Sequence, residues 1–312
     1  LGATTVELKF GQAAKGIQGM GFVYNLEDAL EFQKKGYLVI PDPSDPMIQE
    51  KHKKGIGPHF QRIGKLPMYD EEILKKRIAE LRRLGVKRIL FKMAAFDPAD
   101  MIRVLKIASN NKIDLVTFDG AGGGSGNSPC KMMNEWGLPS VYMESILYDI
   151  LNEMKNKGYA LPKVAATGGF AMEDQIFKGL SLGAPYISMI AIGRAAMAAA
   201  MAGNKVGELI SKGEIPKDLQ KYGDKVSDIF RDVRLIRDIY GSEADDIAPG
   251  AIALFSYINR VSTGLRQLMA LNRKFALKNI DRTDIIALTK EAGEVSGIST
   301  IMDYRIKIRD MI

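Results

Sequence analysis

The sequence predicts an α/β fold: a TIM (β/α)8 barrel, incomplete at its N-terminus, with a C-terminal helical extension. From residue 88 to about residue 203, short apolar runs alternate with amphipathic stretches of helical length. This alternation is typical of parallel strands joined by right-handed helical crossovers. After residue 204 only helical patterns follow. We therefore divide the chain into a barrel portion, residues 1–203, and a helical extension packed on it, residues 204–312.

The individual elements follow from periodicity. Runs with the length and apolar character of strands lie at 6–10, 37–41, 88–93, 114–120, 163–169 and 186–193. Helical spacing predicts helices at 27–36, 71–85, 98–111, 141–158 and 171–183, and a further helix that begins at 194. A complete barrel has eight strands, so this count predicts an incomplete one. A doubly wound sheet is the competing architecture.

Composition narrows the class of protein. The chain has 312 residues and is 46% hydrophobic, which is enough for a substantial core. Its charge of +7 is spread over mixed-sign helix faces, so we expect no nucleic-acid partner. Gly193 and Arg194 interrupt the apolar run 185–203, so we expect no membrane span. A single cysteine, Cys130, rules out an internal disulfide and a cysteine-ligated metal site, and it indicates a cytoplasmic protein.

Two glycine turns stand where a strand ends and a helix begins. They contain Gly168 with Gly169, and Gly193 with Arg194. Backbone N–H groups at a helix N-terminus bind phosphate, and glycine allows close approach. Taken alone, each glycine site is better explained by a tight turn. Two such turns on consecutive strands favour a phosphate site of the kind that barrels place after strands 7 and 8.

Further candidate functional residues lie in or just after three other strands. Lys92 lies inside an apolar strand and is expected to reach a cavity or an anion, the alternative being a lysine that extends from the outer face. The segment 119–126 ends a strand with Asp119 and five glycines, and suits a ligand-binding turn better than a flexible linker. Lys9, Gln12 and Lys15 follow the first strand and would suit an oxoacid, although a solvated turn explains them equally well.

These residues resemble the FMN-binding synthase domain of glutamate synthase and its relatives. Segments similar to that family occur in its order at 8–16, 88–93, 118–129 and 253–286. The segment 118–129, FDGAGGGSGNSP, is the most specific because it combines glycines, a hydroxyl residue and a final Ser-Pro. The resemblance implies a barrel that binds FMN and an oxidoreductase that converts 2-oxoglutarate to glutamate through reduced FMN.

The resemblance also implies roles for particular residues. Lys92 would lie beside the flavin ring. The catalytic residues would be Lys92, Lys15 and Gln12, with Lys9, Gln12 and Lys15 contacting the substrate. The FMN-binding residues would be Lys92, Asp119, Gly122, Gly123, Gly124, Ser125, Gly168, Gly169, Gly193 and Arg194. No other metal or cofactor is implied.

Departures from the family pattern leave alternatives open. The family's iron–sulfur cysteines have no counterpart in 195–209, so we expect no iron–sulfur cluster. Electrons would then come from an electron-donor subunit, and ammonia from a glutaminase subunit. The chain begins where the family is about halfway round the barrel, which favours an oligomer. The alternatives are another FMN barrel enzyme, such as type 2 isopentenyl diphosphate isomerase, and a non-catalytic FMN-binding subunit.

Overall fold

The computed structural model describes residues 2–11, 20–63, 70–124 and 135–312. The chain divides into two compact units, Leu1–Gly168 and Gly169–Ile312. This division lies earlier than the predicted boundary at residue 203. The reason is that the helices after residue 169 pack on a long C-terminal helix, as described below.

The first unit contains strands of two sheets. They are β1 (Thr5–Lys9), β2 (Met20–Val23), β3 (Leu38–Ile40), β4 (Phe60–Ile63), β5 (Arg88–Ala94), β6 (Leu115–Asp119) and β7 (Lys163–Thr167). Its helices are α1 (Leu26–Lys34), α2 (Pro46–Lys53), α3 (Glu71–Arg83), α4 (Pro98–Asn110) and α5 (Ser140–Asn156).

A parallel sheet carries the predicted strand–helix alternation. Within the first unit its strands lie in the order β1-β5-β6-β7. β1 pairs in parallel with β5, β5 with β6, and β6 with β7. The helices α4 and α5 are the crossovers between β5, β6 and β7. The predicted α/β class and the parallel pairing of these strands are therefore confirmed.

The prediction for residues 37–41 was wrong in one respect. They form β3, but β3 belongs to a separate antiparallel sheet with the order β2-β4-β3. β2, β4 and α2 were not predicted. This small sheet has its own core of Val23, Ala29, Val39 and Phe60. The described residues between β1 and α3 thus form a small α/β segment. It has its own sheet and its own core, separate from the parallel sheet.

Helices of the first unit begin at identifiable caps. The side chains of Asn25, Asp45, Asp70 and Asp97 each accept a hydrogen bond from a backbone N–H at the start of α1, α2, α3 and α4. Such caps satisfy donors that have no partner inside the helix. Each of α3, α4 and α5 then buries an apolar stripe; in α5 the stripe contains Met143, Leu147 and Leu151.

The second unit has one strand, β8 (Ile187–Ala191), and apart from an isolated bridge between Ala287 and Thr300 its remaining regular structure is helical. Its α-helices are α6 (Glu173–Gly183), α7 (Arg194–Ser211), α8 (Lys217–Gln220), α9 (Val226–Ile229), α10 (Val233–Tyr240), α11 (Pro249–Leu271), α12 (Lys290–Ser296) and α13 (Ile301–Met311). The predicted helical region after residue 204 is therefore present. No helix in the described part of the chain is both long and apolar enough to cross a bilayer.

Small residues let α7 approach α11 closely. A Cβ added at Gly203 would overlap the Cβ of Ala253 and would lie 2.7 Å from the carbonyl oxygen of Pro249. A Cβ at Gly250 would lie 2.6 Å from the carbonyl oxygen of Ala200. The backbones of the two helices are thus nearly in contact. On α11, Val261 and Met269 also share a buried core with Ile176, Phe177 and Leu180 of α6.

We predict that Gly203→Ala destabilises the chain by about 1–3 kcal/mol, because the added methyl group overpacks this contact. Helix propensity alone predicts the opposite sign, a gain of roughly 1 kcal/mol. Urea unfolding measures the difference. Ala198→Ser, at an exposed position of the same helix, is the control and should change stability little. A stabilised Gly203→Ala variant would contradict the close packing.

Candidate functional site

The parallel sheet of the first unit has one apolar and one polar face. Successive side chains of a strand point to opposite faces, and residues paired in register share a face. One face is apolar and almost fully buried; it carries Ile89, Phe91, Met93, Val116, Phe118, Val164 and Ala166. The other face, here called the polar face, carries the polar residues Glu7, Lys9, Lys92, Thr117, Asp119 and Thr167 together with the apolar residues Leu90, Ala94, Leu115 and Ala165. The polar face is therefore the candidate functional site of this unit.

Lys92 and Asp119 form an ion pair on the polar face. Lys92 is in register with Lys9 of β1 and Thr117 of β6, and Asp119 is the last residue of β6. The Nζ atom of Lys92 lies 3.6 Å from Oδ2 of Asp119, and their side chains are 20% and 1% exposed. Lys92 thus lies on the polar face, opposite the buried face that carries Phe91.

A turn at the end of β6 holds the glycine-rich segment in place. Residues Ala121–Gly123 form a 3-10 turn, in which the N–H of Gly123 donates to the carbonyl of Gly120 at 2.9 Å. The N–H of Ala121 donates to the carbonyl of Leu138 at 2.8 Å. The described residues of this segment are therefore an ordered turn and not a flexible linker.

The first glycine turn follows β7. Gly168 has a φ of 119° and Gly169 a φ of 91°, values that favour glycine. A Cβ at Gly168 would lie 2.8 Å from the backbone nitrogen of Gly120, so the close approach of β6 and β7 already requires glycine there. The N–H groups of Ala171 and Met172, before α6, donate to the side chain of Gln175. Those two donors are occupied without a ligand.

The second glycine turn follows β8 and differs from the first. Gly193 is the N-cap of α7, and in the described part of the chain no side chain caps this helix start. A Cβ added at Gly193 would meet nothing within 4 Å. Arg194, the first residue of α7, is half-buried. A helix N-terminus with open space suits an anion by its charge, and the phosphate-binding role of Gly193 and Arg194 stays a prediction.

Other predicted residues are only partly described. Lys9 is exposed at the end of β1, in register with Lys92. Gln12, Lys15 and Ser125 lie outside the described residues, so their predicted roles stay predictions. Gly122 is half-buried beside Gly123, and Gly124 is buried at the end of the turn.

Sequence reasoning missed three polar residues of the first unit. Thr117 and Thr167 are 6% and 8% exposed and lie on the same face as Lys92. Alternation within LVTFD, which places Thr117 two residues before Asp119, was the available signal. Glu144 was also missed; it is a buried carboxyl on α5, and its Oε1 has no hydrogen-bond partner among the described residues.

Burial raises the pKa of the Glu144 carboxyl from its ordinary value of 4.5 to about 8. The cause is desolvation, because a charge in an apolar environment is costly. Glu144 is thus protonated in the folded chain at neutral pH, and it stands one helical turn after Ser140, whose hydroxyl donates to the carbonyl of Gly168.

We predict that Glu144 makes the chain less stable as pH rises. The unfolded carboxyl ionises near pH 4.5, while the folded one holds its proton to about pH 8. Stability is therefore full below pH 4.5 and decreases between these values, by on the order of 5 kcal/mol. Glu144→Gln should remove this decrease when unfolding in urea is measured at pH 5 and pH 9. Glu153→Gln, an exposed change on the same helix, is the control, and identical pH slopes for wild type and Glu144→Gln would disprove the assignment.

Comparisons with known proteins find a family-model match over part of the chain and a distantly similar solved structure. Residues 64–205 match the family described as a conserved region in glutamate synthase. A crystal structure of DHODH in complex with ferulenol from Eimeria tenella matches with 11% identity and a TM-score of 0.30. That match covers 47% of this chain and 46% of the other, so it spans less than half of either protein. No curated protein sequence matches the chain significantly.

Proposed function

Because residues 64–205 match the family described as a conserved region in glutamate synthase, we propose that the chain is an FMN-dependent oxidoreductase of that class. The proposed reaction is the reductive amination of 2-oxoglutarate to glutamate. When bound, FMN supplies the two electrons that this reduction needs. The observation that supports the proposal most strongly is Lys92, a cation aimed at the polar face of the sheet beside Asp119.

Each unit contains residues whose chemistry suits one charged part of FMN. The reduced flavin ring carries negative charge near N1 and O2, and Lys92 is a cation of the type that stabilises it. The N-terminus of α7, with Gly193 and Arg194, offers backbone N–H groups and a guanidinium for the phosphate. Gly168 and Gly169 are proposed as further phosphate neighbours. Gly122 to Ser125 are proposed to line the ring pocket.

The substrate end of the proposal depends on cations near Lys92. Lys9 is in register with Lys92 on the neighbouring strand. Two lysines at one level of a sheet repel each other, so an anion between them is stabilised by both. We propose that Lys9, Gln12 and Lys15 bind the carboxylates of the oxoacid. An electron-donor subunit and an ammonia-supplying subunit are the proposed partners, and a cytoplasmic oligomer is the proposed setting.

We predict that the purified chain binds FMN, becomes yellow and unfolds at a higher temperature. At a hundredfold excess over the dissociation constant, a native-state ligand stabilises by roughly 2.7 kcal/mol. Arg194→Met should weaken FMN binding by roughly 10–100-fold, because a charged hydrogen bond contributes about 1.5–3 kcal/mol. It should leave riboflavin binding unchanged, because riboflavin lacks the phosphate.

The control is Arg266→Met, an exposed arginine in the same unit, which should alter neither affinity. Equal affinity of the wild-type chain for FMN and riboflavin would remove the phosphate site from α7. Absence of any flavin binding would disprove the proposed function.

We predict that the FMN-loaded chain forms glutamate from 2-oxoglutarate and ammonia when a chemical reductant such as dithionite supplies electrons. Gln12→Ala should raise the KM for the oxoacid by about tenfold, the effect of one lost hydrogen bond to a carboxylate, and should leave FMN bound. Gln61→Ala, an exposed change on β4, is the control. Tight FMN binding without glutamate formation would favour the non-catalytic FMN-binding subunit instead.

A further inference from the structure

The Asp119 carboxylate is almost completely buried beside a partly exposed cation. Asp119 is 1% exposed and ends β6, whereas the Lys92 side chain keeps 20% of its exposure. A buried carboxylate needs a nearby positive charge to remain ionised. The distance of 3.6 Å from Lys92 Nζ is an ion-pair distance and longer than a direct hydrogen bond. Lys92 is therefore held by electrostatic attraction to Asp119, and the N–H groups of its ammonium can donate hydrogen bonds to a ligand.

The Asp119 carboxylate occupies the space that a side chain at position 123 would need. A Cβ added to Gly123 would overlap Oδ1 of Asp119. Gly123 lies in a 3-10 turn, whose dihedral angles are open to ordinary residues. Backbone conformation therefore does not demand glycine at this position. Glycine is required there because the Asp119 side chain fills the space of a Cβ.

We infer that Asp119 is a positioning residue that fixes the ammonium group of Lys92 on the polar face, and that Gly123 is glycine in order to admit the Asp119 carboxylate. This assigns Asp119 and Gly123 a different role from the direct FMN contacts that the family resemblance implied. The inference rests on the proposed function only for the identity of the ligand that Lys92 meets.

The effect of Asp119→Asn on the affinity for reduced relative to oxidised FMN distinguishes a positioning role from a direct charge effect, because the two have opposite signs. Reduction of FMN adds negative charge to the ring, so a lost cation lowers the affinity for reduced relative to oxidised FMN. A lost anion alone would raise that ratio. If Asp119 acts by holding Lys92, then Asp119→Asn lowers the ratio, as Lys92→Met does, because the ammonium group is released from its position.

The first experiment measures the midpoint potential of bound FMN in four chains: wild type, Asp119→Asn, Lys92→Met and the double variant. We expect Asp119→Asn and Lys92→Met each to lower the ratio of the affinities for reduced and oxidised FMN by about tenfold. This corresponds to a midpoint potential lower by about 30 mV for a two-electron couple. The double variant should be no lower than Lys92→Met alone. Asp149→Asn, an exposed aspartate on α5, is the control. A ratio that rises in Asp119→Asn, or effects that add in the double variant, would overturn the inference.

The second experiment needs no FMN and therefore decides the part of the inference that concerns Gly123 even if the proposed function fails. Urea unfolding of the ligand-free chain compares Asp119→Ala, Gly123→Ala and their combination. We expect Gly123→Ala to change the unfolding equilibrium by tenfold or more in the wild type and by less than threefold in the Asp119→Ala background, where the overlap is gone. With Asp149→Ala the effect of Gly123→Ala should persist in full. Persistence in the Asp119→Ala background as well would show that Gly123 does not accommodate the carboxylate.

Discussion

The two-residue alternation of the parallel strands is the constraint on which the first unit depends. Phe91 and Phe118 are completely buried on one face, and this fixes the register of β5 and β6. A shift of one residue would exchange the faces and bury Lys92 among apolar side chains. Packing on the apolar face therefore determines where the charged residues of the other face stand, and the chemistry of the site is a consequence of the core.

Glycine serves three distinct purposes in this chain. At Gly168 it permits a left-handed backbone and the approach of β7 to β6. At Gly203 it allows two helices of the second unit to pack closely. Around Gly193 there is open space, which suits a ligand. A glycine-rich sequence thus does not by itself indicate a phosphate site, and the atoms that a Cβ would meet distinguish the cases.

Much of the fold could be predicted from local patterns, and the reasons for the misses are physical. Strands at 88–94 and 115–119 and the helices between them have strong periodicity and long apolar runs, so they were found. The strands β2 and β4 were missed because four-residue strands with mixed polarity carry little periodic signal. Lys92 was found because a lysine inside an apolar strand is conspicuous. Its partner Asp119 was assigned to the cofactor, since a contact between neighbouring strands depends on register, which the sequence does not show.

Amide hydrogen exchange with and without FMN tests the central claim most directly, because it reports where the ligand binds and not only whether it binds. The account predicts slower exchange on addition of FMN in the two segments that carry the proposed site, residues 115–124 at the end of β6 and residues 192–197 at the start of α7. A cavity of about 620 Å³ between Leu288 and Asp303 provides the internal comparison and should show no change. Protection confined to residues 288–303, or no protection anywhere, would contradict the assignment of the FMN site.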